Sequence, residues 1–188
     1  MSKSKVILIV AAVVVGVALI WFVATNNQLV ALREGCSAAW AQVETVLQRR
    51  FDLIPNLVET VKGYAKHEKT VLEDVTKLRS QWAAAQTPAD KAQAATQLEA
   101  GIGRQLLVAE RYPDLKASEN FRDLQVQLEG TENRIAIERQ RYNEALRAYN
   151  TRVQQFPASI VASVRGLQPL RAYFEAAPPA AEAPKVKF

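Results

Sequence analysis

One histidine, one cysteine and one methionine among 188 residues leave this chain little catalytic chemistry to draw on. With His67 alone, metal sites built on two histidines and histidine facial triads are excluded. His67-Glu68 opens like a zinc-protease motif, but Val71 stands where the second histidine belongs. A carboxylate-bridged di-iron bundle wants glutamate three residues before a histidine, and that position is Tyr64. Cys36 has no partner for an internal disulfide, and neither a second histidine nor an evident orienting group supports a Cys36–His67 nucleophile pair. Gly101-Ile102-Gly103-Arg104 lacks the glycine count and the lysine of a phosphate loop. No enzymatic activity, cofactor or metal is therefore expected. The net charge of +5 is modest and comes without a basic run or an aromatic ladder. Nucleic acid is thus not an expected partner, whereas an anionic membrane surface suits the charge.

What the chain has in abundance is apolar helix. Val6 to Ala24 is an unbroken apolar or small run of 19 residues, about 28 Å as a helix, which matches the hydrocarbon thickness of a bilayer. A cleavable signal peptide would have a shorter apolar stretch and a small residue where Phe22 stands, so a retained single-pass anchor is expected. Trp21 and Phe22 fall where aromatic rings favour the headgroup interface. Lys3 and Lys5 precede the run, and the first charge beyond it is Arg33. The positive-inside rule then places the amino terminus in the cytoplasm and the remaining domain on the extracytoplasmic side.

Beyond the anchor the pattern is all-α. Leu29, Leu32, Cys36, Trp40, Val43 and Leu47 recur at three- and four-residue spacing, which carries the first helix on to about Phe51. Ile54-Pro55 reads as one helix stopping and another starting, with the chain reversing between them. A second helix is expected from about Pro55 to Trp82 on Leu57, Val61, Tyr64, Val71, Val75, Leu78 and Trp82, with Glu68 as a polar intruder. Thr87-Pro88 supplies a cap and a first-turn proline for a third helix to Glu110, in which Gly101 and Gly103 mark a close crossing or an irregularity. Ser118 should cap a fourth, whose apolar face runs from Phe121 to Phe156 before Pro157 ends it.

The expected architecture is an amino-terminal transmembrane helix followed by an up-down antiparallel four-helix bundle with long helices. Its segments are a flank over 1–5, the membrane helix over 6–24, the bundle over 25–157, a membrane-proximal segment over 158–175 and an extended Ala/Pro-rich tail over 176–188. Arg165 and Arg171, set among apolar residues, fit an interfacial segment or packing at the bundle's base.

Counting lengths puts the Arg49 to Pro55 corner about 40 Å from the bilayer, beside the 112–118 corner. Arg49, Arg50, Asp52, Pro55, Asn56, Glu119 and Asn120 are accordingly the candidate interaction surface, with Arg49 or Arg50 expected to pair with Glu119 or Asp123. A buried polar layer is expected from Lys66, His67, Glu132 and Asn133, fixing helix register rather than performing chemistry.

Arg49-Arg50-Phe51-Asp52-Leu53-Ile54-Pro55-Asn56-Leu57-Val58-Glu59-Thr60-Val61-Lys62-Gly63-Tyr64-Ala65 with His67-Glu68, then Ala117-Ser118-Glu119-Asn120-Phe121, Leu128-Glu129-Gly130-Thr131-Glu132-Asn133-Arg134-Ile135, Tyr142-Asn143, Tyr149-Asn150 and Phe156-Pro157 together resemble the LemA family. The order is kept over nearly the whole chain, including Tyr173-Phe174-Glu175 and the final Ala183 to Phe188. The resemblance implies a bacterial inner-membrane protein with one anchor, a helical bundle, no established enzymatic activity and a part in membrane organisation. The chain departs from the family pattern at Arg165-Gly166-Leu167, where members commonly carry phenylalanines around the glycine.

A membrane-anchored scaffold or adaptor is the expected function, bound to membrane lipid and to an unidentified membrane or envelope protein. Self-association through Gly16 in the anchor is expected as well. The alternative is an accessory to a membrane protease, read through the carboxyl end Val186-Lys187-Phe188 by strand addition to a peptide groove.

Overall fold

The computed structural model describes residues 3–64 and 69–174, with the side chains of Lys69 and Val71 left out. These residues form seven helices and, among themselves, no strand: α1 (Lys3–Phe51), α2 (Ile54–Tyr64), α3 (Lys69–Ala84), α4 (Pro88–Ala109), α5 (Pro113–Ala117), α6 (Glu119–Gln154) and α7 (Ala158–Val164). The chain divides into two compact units, one of Met1–Thr45 with Gln140–Arg171 and one of Val46–Arg139 with Ala172–Phe188. Both α1 and α6 contribute to each unit.

In the first unit α1 changes character along its length. Its apolar run has a mean hydropathy of 3.2 over 18 residues, and that whole window is unburied. A core helix of a water-soluble fold would hide such a stripe, whereas this run is long and apolar enough to cross a membrane and none of the described residues covers it. Burial begins at Thr25 and Leu29 and continues through Cys36, Trp40 and Val43. Here α6 lies antiparallel to α1: Arg152 donates to Gln28 at 3.1 Å, and Tyr142 meets Trp40 edge to face at 5.4 Å between centroids.

The same unit ends with a neutral clamp. Asn150, nearly buried, donates from Nδ2 to the Leu170 carbonyl at 2.7 Å and accepts from the Leu170 amide at Oδ1 at 2.8 Å, so one side chain satisfies both backbone groups of that residue. Tyr149 adds a bond from its hydroxyl to the Gln168 carbonyl at 3.3 Å. Between α6 and this returning strand of chain, α7 closes on Gly166, whose φ of 65° is the left-handed value glycine adopts freely. Gly166 N–H bonds Ser163 and Leu167 N–H bonds Ala162, the two reversed bonds that satisfy a helix's last carbonyls.

The second unit is a four-leg antiparallel bundle, and its first leg differs from the expected one. The chain does not turn back at Ile54-Pro55. Asp52 N–H bonds the Gln48 carbonyl, Leu53 N–H bonds Arg50 and Leu57 N–H bonds Leu53, so helical bonding carries on through the two turn residues. Counted through them, Lys3–Tyr64 is a single helical run of 62 residues. The partners on α6 confirm the direction: Arg50 meets Glu132, and Asn56 and Thr60 share a groove with Asn120, Asp123 and Gln127. Numbers on α6 fall steadily as those on α1 and α2 rise, as they must when an antiparallel partner follows one continuous leg.

The single helix expected from about Pro55 to Trp82 is in turn two, and α3 runs antiparallel to α2. Phe51 packs edge to face on Trp82 at 4.9 Å, while Val58 and Lys62 face Leu72, Thr76 and Ser80. α3 packs most extensively on α4, where Gly101 sits so close that an added Cβ would lie 3.0 Å from Leu78 Cδ1 and 3.2 Å from Val75 Cγ2. The expected start of α4 is confirmed, since Thr87 Oγ1 accepts the Asp90 N–H at 3.1 Å and Pro88 opens the first turn. A short α5, unforeseen, packs on α2 and α4 through Leu115. Residues buried to within 2% of full cover, among them Phe51, Ile54, Leu57, Leu98, Ile102, Leu115, Leu128 and Ile135, form this unit's core, each contributing about 1.5–3 kcal/mol.

Candidate interaction surface and buried charge layer

Pro55 creates the local problem from which the site is built. Without an N–H it cannot bond the Phe51 carbonyl, which a continuing helix would leave unsatisfied. Arg79 on α3 fills the gap, donating from Nε to that carbonyl at 3.2 Å and from Nη2 to Asp52 at 3.4 Å. Gln48 holds the same Asp52 carboxylate at 2.7 Å. The leg therefore continues from α1 into α2 without reversing at Pro55. Lys91 lies over the Trp82 ring, 5.7 Å from its centroid, beside the same corner.

Arg50, one of the expected surface residues, is instead buried to 6% exposure. Its Nη1 donates to the Leu128 carbonyl at 3.0 Å and pairs with Glu132, while its Nε finds no partner. Thr131 Oγ1 donates to the same Leu128 carbonyl at 2.8 Å. The Leu128 to Arg134 stretch thus interrupts the apolar face of α6 in order to receive a guanidinium. The expected pairing of Arg50 with Glu119 or Asp123 is replaced by this one.

A second charge pair lies in the same unit. Arg139 donates to Glu99 at 2.9 Å, both side chains being about four-fifths covered, and its guanidinium sits 4.7 Å from the centre of the Phe174 ring. Burial pushes the Glu99 carboxyl above the ordinary 4.5, with Arg139 opposing the shift and Glu132 adding to it. The charged groups that come together in this unit are the buried Arg50 with the half-exposed Glu132, and the partly covered Arg139 with Glu99. Asn133 is exposed, because helical periodicity turns it away once Glu132 leans toward Arg50. Lys66 and His67 lie outside the described residues.

The remaining expected surface residues, Arg49, Asp52, Pro55, Asn56, Glu119 and Asn120, are all exposed. Two grooves flank α6 here, the first mainly polar and the second mainly apolar. Asn56, Glu59 and Thr60 face Asn120, Asp123 and Gln127 across a groove of about 390 Å³. Val46, Arg49 and Leu53 face Gly130, Thr131 and Arg134 across one of about 350 Å³. Asn56 and Asn120 are thus brought together, and Arg49 lies in the neighbouring groove. A groove of about 690 Å³ between α2 and α3, lined by Val58, Lys62, Leu72, Glu73, Thr76, Lys77 and Ser80, was not anticipated, because it depends on the reversal between those helices.

Cys36 is buried to 3%, and burial raises its thiol above the ordinary 9.0, which removes the thiolate a nucleophile needs. Among the described residues no group of three or more histidine, cysteine, aspartate or glutamate side chains could hold a metal ion. The carboxyl end, Val186-Lys187-Phe188, lies outside the described residues.

An all-α protein with one apolar membrane-length helix, and with its buried charges spent on pairing its own helices, has the form of a membrane-located bundle protein. The sequence comparisons make this specific. The chain belongs to the LemA family, whose model matches residues 39–188. It is similar to the magnetosome proteins MamQ 1 and MamQ 2 of Paramagnetospirillum magneticum, 25% identical to each over 184 residues, covering 84% of this chain and 67% of theirs. It is also similar to the magnetosome protein MamQ of Magnetospirillum gryphiswaldense, 23% identical over 175 residues, covering 79% of this chain and 64% of that one.

Proposed function

We propose that this protein is a non-enzymatic scaffold held in the bacterial inner membrane by residues 6–24, presenting its bundle on the extracytoplasmic side for protein–protein interaction or membrane organisation. The observation that carries the reading is the division of labour around α6. Its charges Glu132 and Arg139 pair with Arg50 and Glu99 on other legs, while the outer sides of the same corner expose Arg49, Asn56 and Asn120 in open grooves, one mainly polar and one mainly apolar. Open grooves of mixed polarity suit a protein partner better than an apolar small molecule, which would need an enclosed apolar cavity. Similarity to proteins named for the magnetosome supports a role at a membrane. Self-association through the exposed anchor, where Gly16 has open space around it, belongs to the same proposal.

Proximity labelling from the native full-length protein tests it, compared with a variant carrying Arg49→Ala, Asn56→Ala and Asn120→Ala. A subset of labelled membrane or envelope proteins should drop at least fivefold in the variant at equal expression. An unchanged labelling profile would count against this surface. Orientation follows from Ser37→Cys in a Cys36→Ser background, because Ser37 is exposed where Cys36 is not. An impermeant thiol reagent should modify it in spheroplasts, and protection there would reverse the assignment.

A further inference from the structure

The first unit carries an apolar face that its own packing leaves open. Phe156 is 78% exposed, Ile160 52% and Val164 69%, whereas Ala158, Val161 and Ala162 on the other side of α7 are buried. Spacing of four residues puts Ile160 and Val164 in one row on α7, and Phe156 is exposed in the turn just before it. Large apolar side chains aligned this way on the surface of a small unit mark a contact.

The level of this row along α1 says what the contact is. Arg152 faces Gln28, and each later residue of α6 lies about 1.5 Å closer to the amino end of α1. Gln154, where α6 ends, therefore stands near Asn26, next to Thr25 where burial on α1 begins and close to the end of the apolar run at Ala24, and Phe156 follows in the turn after it. Trp21, itself 37% exposed, lies just within that boundary. Electrostatics agrees. No aspartate or glutamate occurs in residues 1–33 or 145–174, while Arg33, Arg147, Arg152, Arg165 and Arg171 do. An apolar row at the end of a membrane span, ringed by arginines without a single acid, is complementary to the acyl–headgroup boundary of an anionic bilayer.

We propose that Phe156, Ile160 and Val164 enter the membrane interface beside the anchor, with Arg165 and its neighbours on anionic headgroups, so that the first unit holds the bilayer at two points. This rests on the reading of residues 6–24 as a membrane span. Two contacts fix the tilt of α1 against the bilayer, which a lone span leaves free.

The test uses the full chain in a Cys36→Ser background, reconstituted into vesicles of phosphatidylcholine with 30% phosphatidylglycerol. Single cysteines at Ile160→Cys, Val14→Cys and Ser37→Cys carry an environment-sensitive fluorophore, with nitroxide-labelled lipids as quenchers at shallow and deep positions. Shallow nitroxides should quench the probe at 160 at least threefold more than the probe at 37, and deep nitroxides should quench the probe at 14. Replacing the anionic lipid should lower quenching at 160 about twofold without moving that at 14. If 14 is quenched and 160 matches 37, this inference fails while the anchor stands. If 14 is not quenched, the anchor reading itself fails. A probe at 160 that is shielded in proportion to protein concentration, yet indifferent to lipid nitroxides, would assign the face to a second copy of the chain and overturn the proposal.

Discussion

The two units solve the same problem, fastening α6 in place, with different chemistry. In the first, neutral groups carry much of the fastening, beside the bond from Arg152 to Gln28: an aromatic pair between Trp40 and Tyr142, and amide and hydroxyl bonds from Asn150 and Tyr149 to the backbone at 168–170. In the second it is ionic, through Arg50 with Glu132 and Arg139 with Glu99. Neutral bonds ignore pH and salt, whereas a partly covered ion pair carries a desolvation penalty that depends on both partners being present. The difference teaches that the bundle's register is set by charges that only one pairing satisfies, while the chain end is held by a clamp that reads backbone alone. Substitutions can break that contrast or sharpen it.

The largest effect is expected from Glu132→Ala, which leaves Arg50 buried with only a carbonyl for company. It should cost about 3 kcal/mol, seen as a lower denaturation midpoint by circular dichroism of the reconstituted chain. Arg50→Met should cost less, because Glu132 is half exposed and can hydrate. Equal losses would mean that the pair is not the unit that matters. Asn150→Ala comes next, at about 2 kcal/mol for two covered bonds, with faster hydrogen exchange at the Leu170 amide and no dependence on pH between 5 and 8. A pH-dependent loss there would erase the contrast between the units.

Glu99→Gln should act through pH more than through magnitude. Because burial raises the folded-state pKa of Glu99 above 4.5, the folded state holds its proton more tightly than the unfolded chain does. The stabilisation that comes with protonation is fully present below 4.5 and is lost as pH rises through the raised value. Glutamine cannot titrate, so the difference in stability between wild type and variant should change within that window and be flat above it. A difference constant from pH 4 to 8 would show that Glu99 titrates normally. The smallest effect is at the corner, where Arg79→Met should cost about 1 kcal/mol by exposing the Phe51 carbonyl. In a Pro55→Ala background, with the backbone N–H restored, a double-mutant cycle should show that cost reduced by half or more.

Much of this was legible from residues alone. The all-α bundle, the anchor, the Thr87-Pro88 start and the close approach at Gly101 each rest on local pattern or a small set of side-chain rules. The corner was misread for a specific reason. Proline was taken as a stop, although Leu47, Phe51, Ile54, Leu57 and Val61 keep three- and four-residue spacing straight through it, and all five are buried. That unbroken phase is the signal a reversal would have erased. What overrides the proline's cost is Arg79, 28 residues away from the carbonyl it satisfies, and no local pattern announces such a partner. Glu99 and Arg139, 40 residues apart, were out of reach in the same way. The Leu128 to Arg134 interruption supplies the Leu128 carbonyl and the Glu132 carboxylate to Arg50, a partner on another leg that no local pattern announces.

The central claim is that the candidate surface flanks one leg that runs on through the two turn residues 52 and 53, and not the tip of a hairpin. Spin labels at Gln48→Cys and Lys62→Cys in a Cys36→Ser background, read by double electron–electron resonance, test it directly. Both positions are exposed. A continuous leg separates the two backbones by about 20 Å, and the account predicts a narrow distribution near that value. A chain that reversed at Pro55 would bring them side by side at about 10 Å, the spacing of packed helices, and a distance there would contradict it.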